Sequence, residues 1–386
     1  MTAILVGAGF SKATYGIPTM KGMVDEFPIW MNNHSDEIYN LLRDESKNIL
    51  EYYYEMKKAI DFAYDSTKQE LDIEAILSIL DMISKQNIPE NIAKNPGLKL
   101  LLHRKGMDLS VMIREVISEI GIEKATVMSK AFSIFLFNIC DTREVKKDIS
   151  NLDLLFEALL GEDKLHDTLE QHRKDPKQGV MNRSMDIFTT NYDNGLEKYC
   201  HSCQLAYHTG IEYNQIYDSL INVKETSQLF QSNAIRIIKL HGSIDWWRCE
   251  DGYLRHMDPK LVLKNVSNYY GHIAHENQLL YPALGKSIYQ LPYSDMFQRL
   301  RGVIRNDKPF IIIGHSCRDE DIVAIVREAI MKSIEDKHYT QIAVLDPDAN
   351  SIVSRLGLPN TTPINKEITI ESINEIKQFV KINRRQ

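Results

Sequence analysis

Four short segments of the chain combine residue types that can hold or turn over a polar ligand. In Phe188-Thr189-Thr190-Asn191-Tyr192-Asp193-Asn194-Gly195 an apolar run gives way to polar residues. In extended backbone Asn191 and Asp193 project to the same side, so an amide and a carboxylate aim at one point with complementary donors and acceptors. Asp193 serves equally well as the cap of the helix that follows, and the two roles can coexist. In Lys239-Leu240-His241-Gly242-Ser243 a histidine sits where an apolar run meets a glycine. Its ordinary titration range suits a general base, and none of the other eleven histidines has such a setting. A structural histidine is the alternative.

The other two segments are rich in glycine. Gly7-Ala8-Gly9-Phe10-Ser11-Lys12 follows the run Ala3–Val6. There the backbone can approach a pyrophosphate, with the amides of the next helix pointing at the anion. The segment matches neither the G-x-G-x-x-G fingerprint, which would put its third glycine at Lys12, nor a P-loop. A plain turn between strand and helix is the other reading. Ile311-Ile312-Ile313-Gly314-His315-Ser316 offers an amide at Gly314 and a hydroxyl at Ser316 to a phosphate or ribose, and Asp346 before Pro347 either grips ribose hydroxyls or opens a turn. Gly16-Ile17-Pro18 by itself marks a loop.

The elements that must position these groups are short and apolar: Ala3–Val6, Asp186–Thr190, Ile235–Leu240, Phe310–Ile313, Ile342–Leu345 and Glu367–Ile370. Unbroken apolar character predicts strands buried on both faces of a parallel sheet. Helical spacing lies between them, as in Asp321–Ile334, so the expected fold is α/β, a doubly wound parallel sheet with its ligand beyond the carboxyl ends of the strands. Every motif above lies at such an end. Between the first two strands the pattern changes. Ile73, Ile76, Leu77, Leu80 and Ile83 form a helical stripe, and Leu152, Leu155, Phe156 and Leu159 form another. Residues 25–184 are therefore expected to be an α-helical insertion in a sheet domain built from residues 1–24 and 185–386. The charged stretch 162–182, with Pro176 and Gly179, reads as a loop.

Composition narrows the function classes. The 386 residues are 43% hydrophobic and 26% charged, as in ordinary globular proteins, and the net charge of −7 argues against a surface built for nucleic acid. Five cysteines form no disulfide framework and suit a reducing compartment. The opening MTAILVGAGF has no basic segment and too short an apolar run for a signal peptide or membrane span. The expected location is cytoplasmic, without membrane attachment.

Taken in order, GAGFS with GIP, TTNYD, KLHG and IIIGHS resemble the sirtuin family of NAD-consuming, Rossmann-like enzymes over residues 1–25 and 185–360. The resemblance implies that Gly7, Ala8, Gly9, Phe10 and Ser11 cradle NAD, with Ile17 and Pro18 near its nicotinamide end. It places Asn191 and Asp193, with Thr190 beside them, at the nicotinamide ribose and carboxamide, and His241 at a ribose hydroxyl or an attacking nucleophile. Gly314, Ser316 and Asp346 fall to the phosphate and adenosine side. The departures are also informative. Protein-deacylating sirtuins carry a zinc ribbon made of two cysteine pairs, whereas Cys200 and Cys203 are one pair without a second, so no metal is expected. His272, His275 and Glu276 fit no zinc-protease pattern and read as polar loop residues. Thr19-Met20-Lys21 follows Gly-Ile-Pro where deacylases have Asp-Phe-Arg.

Those departures resemble a sirtuin-like branch of bacterial antiviral systems, which implies an NAD hydrolase restrained until a signal arrives. The same resemblance implies self-assembly through the helical insertion and a partner, a HerA-type ring ATPase or another sensor, with any nucleic acid contacted only through it. Two other classes stay open at this point: a zinc-free NAD-dependent deacylase or ADP-ribosyltransferase, and a subunit that senses NAD or ADP-ribose without turnover.

Overall fold

The computed structural model describes residues 2–35, 38, 42, 48–63, 73–84, 109–141, 150–161, 165–174, 181–209, 219–220, 234–250, 254–257, 274–279, 292–305, 308–338 and 340–383. The strands are β1 (Ala3–Val6), β2 (Met185–Thr189), β3 (Tyr207–His208), β4 (Ser219–Leu220), β5 (Ile235–Lys239), β6 (Gly242–Cys249), β7 (Leu254–His256), β8 (Ala274–Leu279), β9 (Phe310–Ile313), β10 (Ile342–Leu345) and β11 (Thr361–Ile364). The helices are α1 (Ala8–Tyr15), α2 (Met20–Asn33), α3 (Ile49–Ala63), α4 (Ile73–Ser84), α5 (Leu109–Cys140), α6 (Ser150–Leu160), α7 (Leu165–Lys174), α8 (Gly195–Ser202), α9 (Tyr293–Ile304), α10 (Glu320–Glu335), α11 (Ala349–Leu356) and α12 (Ile370–Asn383).

Seven strands form one parallel sheet in the order β11-β10-β9-β1-β2-β5-β3. The chain starts in the middle, builds outward through β2 and β5, then crosses back to β9, which makes β1 the place where the winding reverses. Ligands of such sheets bind at that reversal. Because strand side chains alternate, each strand feeds two cores. Ile4, Val6, Ile187, Ile237 and Ile311 enter a core shared with the helices between β1 and β2 and with α8 and α12. Ala3, Leu5, Phe188, Ile238 and Ile312 enter a second core with α9, α10 and α11. The helices between β1 and β2 thus cover one face of the sheet as a continuous layer, centred on rings such as Phe27 and Phe132, stacked 4.0 Å apart.

Both helical stripes form helices with every named residue buried, in α4 and α6. The long α5 is broken at Gly121 (φ 76°, ψ 169°).

Several expectations are corrected. Glu367–Ile370 is not a strand: Thr369 takes the amide of Ser372 and the chain enters α12. The last strand lies earlier, at β11, where Thr361, Thr362 and Pro363 on a half-exposed sheet edge hide the apolar signature. Within 162–182, helix α7 forms because Leu165 and Leu169, four residues apart, bury one face in an otherwise charged segment. Pro176 and Gly179 lie outside the described residues. A further sheet, antiparallel in the order β4-β7-β6-β8, was not anticipated. It places His275 and Glu276 in a strand rather than a loop, while His272 lies outside the described residues.

Two glycines allow a prediction about stability. Gly314 has φ 58°, and a Cβ there would meet the Phe10 nitrogen at 2.2 Å. Gly302 lies inside α9, with nothing within 4 Å of the position a Cβ would take. Gly302→Ala should stabilise the fold by about 0.5–1 kcal/mol through helix propensity. Gly314→Ala should destabilise it by roughly 2 kcal/mol or more, from strain and overpacking together. Denaturant unfolding of the two variants reads both signs.

Candidate functional site

Five strands end on one line. Val6 is level with Thr189 and with Ile313, Thr189 with Lys239, and Ile313 with Leu345. The residues that follow, Gly7, Thr190, Leu240, Gly314 and Asp346, open all the motifs side by side.

At the centre Ser11, buried in the first turns of α1, joins the two polar residues after β2. Its hydroxyl accepts from Asn191 Nδ2 at 2.7 Å and donates to Asp193 Oδ2 at 2.6 Å. Asn191 Nδ2 also donates to the Gly7 carbonyl at 2.9 Å. A carbonyl can only accept, so this bond fixes which way the amide faces. It leaves Asn191 Oδ1, on a residue only 5% exposed, buried without a hydrogen-bond partner among the described residues. Asp193 Oδ1 receives the Gly195 amide at 2.9 Å, so the carboxylate takes the Ser11 hydroxyl and closes the turn into α8 at once. Thr190 is buried, and its amide donates to the Val6 carbonyl.

Beneath this group lies a cation that the sequence reading did not single out. Lys239 is 1% exposed, and its ammonium donates to the Asp193 carbonyl at 2.6 Å, to Ser243 Oγ at 2.8 Å and to Glu197 Oε1 at 2.8 Å. Three hydrogens meet three acceptors. Burial opposes the charge, but Glu197, Asp245 and Asp193 outweigh it and hold Lys239 above its usual range. The Asp245 carboxylate on β6 accepts from His256 Nδ1 at 2.8 Å. Burial raises the Asp245 carboxyl, yet His256, Lys239 and Ser243 prevail and hold it below the usual carboxylate range.

His241 leaves β5 where Gly242 (φ 82°) turns the chain into β6. The turn is pinned by the Leu240 amide on the Thr189 carbonyl and the Ile244 amide on the Tyr192 carbonyl. The imidazole is buried, its ring centre 6.4 Å from that of Tyr192, and its Nε2 lies 2.9 Å from Asp319 Oδ2. Asp319 is the N-cap of α10, and its Oδ1 takes the amides of Asp321 and Ile322.

The amides of the glycine turns bond to the protein's own backbone. The Gly7 amide donates to the Ile313 carbonyl, the Gly9 amide to the Gly314 carbonyl and the Phe10 amide to the Gly7 carbonyl. Those three amides are committed to protein carbonyls. A Cβ on Gly9 would lie 2.9 Å from Gly314 Cα, so glycine is required by the approach of one turn to the other. Ala8 is half-buried beside them. Ile17 is buried, with its amide on the Ser11 carbonyl, and Pro18 is half-buried. Ser316 is exposed and its carbonyl takes Arg355. Asp346 is half-buried and accepts the Asp348 amide at 2.9 Å, the turn-opening alternative. β9 and β1 separate Asp346 from the Asn191 group.

Residues 186–360 match the family model of a SIR2-like domain. The match starts in β2 and stops before β11, so β1 and its glycine turn lie outside it. The structure nonetheless seats β1 in register between two strands of the matched segment. No curated protein matches the sequence. Solved structures similar to the chain include a Sir2 enzyme described for its mechanism and regulation, at 13% identity over 100% of this chain and 93% of that one, TM-score 0.38. A Sir2 homologue in complex with NAD is similar at 13% identity over 99% and 89%, TM-score 0.38. Sir2 with a p53 peptide and NAD+ is similar at 13% over 99% and 94%, TM-score 0.37.

Among the described residues of the chain, no group of three or more His, Cys, Asp or Glu is placed to hold a metal, and no helix is long and apolar enough to cross a membrane. Cys200 and Cys203 are both buried at the end of α8, and burial foremost pushes the Cys200 thiol well up.

Sequence reasoning missed Lys239, Glu197 and Asp319 as parts of the site. Lys239 closes the apolar run of β5, where a charged side chain needs a buried partner. Lys239→Met should destabilise the protein by roughly 3–5 kcal/mol, because Glu197 is left as an unpaired buried charge. The double variant Lys239→Met/Glu197→Leu should lose less than the single one. Urea denaturation midpoints check the order.

Proposed function

We propose that the protein is an NAD hydrolase that converts NAD and water to nicotinamide and ADP-ribose. The observation that carries this reading is the buried, unpartnered Asn191 Oδ1 between the glycine turn and Asp193. A buried acceptor without a donor is costly, and a water or ribose hydroxyl supplies the missing donor. The SIR2-like domain supports an NAD-related activity, and the strand-end motifs agree with it.

In this reading the glycosidic electron pair leaves with the nicotinamide ring nitrogen and neutralises its positive charge, while water oxygen bonds to C1′. Asn191 Oδ1 accepts from the attacking water or the ribose hydroxyl. Its position is fixed from behind by Gly7 and Ser11. His241 takes the proton that the water loses. Asp193, tied to Ser11 and Gly195, keeps the Asn191 segment in place. Unrestrained turnover would empty the cell of NAD. The reading therefore extends to a restrained effector of a bacterial anti-phage system, paired with a ring ATPase of the HerA type or another sensor. Self-association through the insertion helices is part of it: Ile29 on α2 and Tyr54 on α3 are each 57% exposed. Ile29→Ser/Tyr54→Ser should shift the sedimentation coefficient toward that of a single chain.

Purified protein incubated with NAD, alone and with the product of its neighbouring gene, should release nicotinamide and ADP-ribose in equal amounts without any acylated peptide. Asn191→Ala and His241→Ala should each lower the rate by roughly 10²–10⁴-fold. Variants as fast as the wild type would remove both assignments. NAD loss only in the presence of an acylated peptide would replace hydrolysis by deacylation.

A further inference from the structure

The contact between His241 and Asp319 joins two loops that are remote in the sheet. His241 follows β5 and Asp319 follows β9, with β1 and β2 lying between those strands. The Nε2–Oδ2 distance is 2.9 Å, and the side chains are 3% and 8% exposed. Capping α10 needs only one oxygen of Asp319, and Oδ1 already takes the amides of Asp321 and Ile322. The second oxygen faces the imidazole. The loop that delivers it bends through two left-handed residues, Gly314 (φ 58°) and Cys317 (φ 50°). Such a conformation is uncommon for a residue with a side chain, and it persists where surrounding structure requires it. Here the Cys317 amide is tied to His315 Nδ1 at 3.1 Å.

A carboxylate that accepts two amides on one oxygen is an acceptor on the other as well, so the ring nitrogen facing it must be the donor. We infer that Asp319 is a positioning residue for His241: it holds the neutral imidazole as the Nε2–H tautomer and so makes Nδ1 the nitrogen that receives the proton. The inference deepens the NAD-hydrolase reading and rests on it for its kinetic consequence. The tautomer itself does not depend on that reading. Asp319 acts through His241 and is not assigned any contact with substrate.

Asp319→Asn separates this role from capping. Asparagine caps a helix as well as aspartate does, so α10 should be retained and the melting temperature kept. With its oxygen on the amides, however, the asparagine presents its NH₂ to the ring, and Nε2 must become the acceptor. The neutral ring then carries its hydrogen on Nδ1. In protein labelled with ¹⁵N-histidine, the His241 signal, identified by its loss in His241→Gln, should report Nε2–H in the wild type and Nδ1–H in Asp319→Asn. The kcat for NAD should fall by roughly 10²–10⁴-fold with KM unchanged, as expected for a base held in the wrong tautomer.

A wild-type ring with its hydrogen on Nδ1 overturns the inference, whether or not the variant folds. So does Asp319→Asn turning over at the wild-type rate. If the wild type has the Nε2–H tautomer but cleaves no NAD under any condition, the hydrolase reading fails and the positioning of His241 stands.

Discussion

The turns after β1 and β9 are in backbone contact, and most of the site depends on that contact. The Gly9 amide reaches the Gly314 carbonyl, and neither residue leaves room for a Cβ. This packing seals the place where the sheet reverses its winding and fixes the start of α1. Ser11 is thereby carried to Asn191 and Asp193, and the Gly7 carbonyl is offered to the Asn191 amide. The glycines act first on the protein's own backbone, which explains their spacing without a ligand.

From there the polar groups form a graded series. Ser11 and the Gly7 carbonyl set the Asn191 amide, Asp193 orders the turn, and Lys239 grips the Asp193 carbonyl together with Ser243 and Glu197. Each buried charge or donor in this series has a partner, as burial demands. Among the described residues Asn191 Oδ1 and Glu197 Oε2 lack a hydrogen-bond partner, and the first lies among the strand-end motifs, where a binding site is expected to leave such a group. A buried lysine under the site adds rigidity to both the Asn191 turn and the His241 turn, because one ammonium holds acceptors from each.

The helical layer is more than an addition to the sheet. Ile4 and Val6 point into the same core as Phe27, Tyr53 and Phe156, so residues between β1 and β2, together with α8 and α12, bury one face of the parallel sheet. The SIR2-like match begins after this layer, and the central strand precedes it. The two parts of the chain are joined by register: Ala3 pairs with Asp186 and with Phe310.

Local pattern alone determined a great deal. Runs such as Phe310–Ile313 and Ile342–Leu345 coincide with strands residue for residue, since a short unbroken apolar run suits a strand buried on both faces. The stripes in α4 and α6 were equally legible, and the spacing of Asn191 and Asp193 already put them on one side. Weakly patterned elements were not legible. The edge strand β11 has a proline and exposed threonines, and α7 has only two leucines to declare its face. β6 begins immediately after the His241 turn, where the alternation of Ile244 and Trp246 with Asp245 was the available signal. Tertiary structure alone decided which partners met: Ser11 with Asn191 and Asp193 across some 180 residues, His241 with Asp319, and Lys239 with Glu197. Hydrogen bonds and ion pairs depend on position in space, and sequence separation carries almost no information about it until the register of the central strands is set.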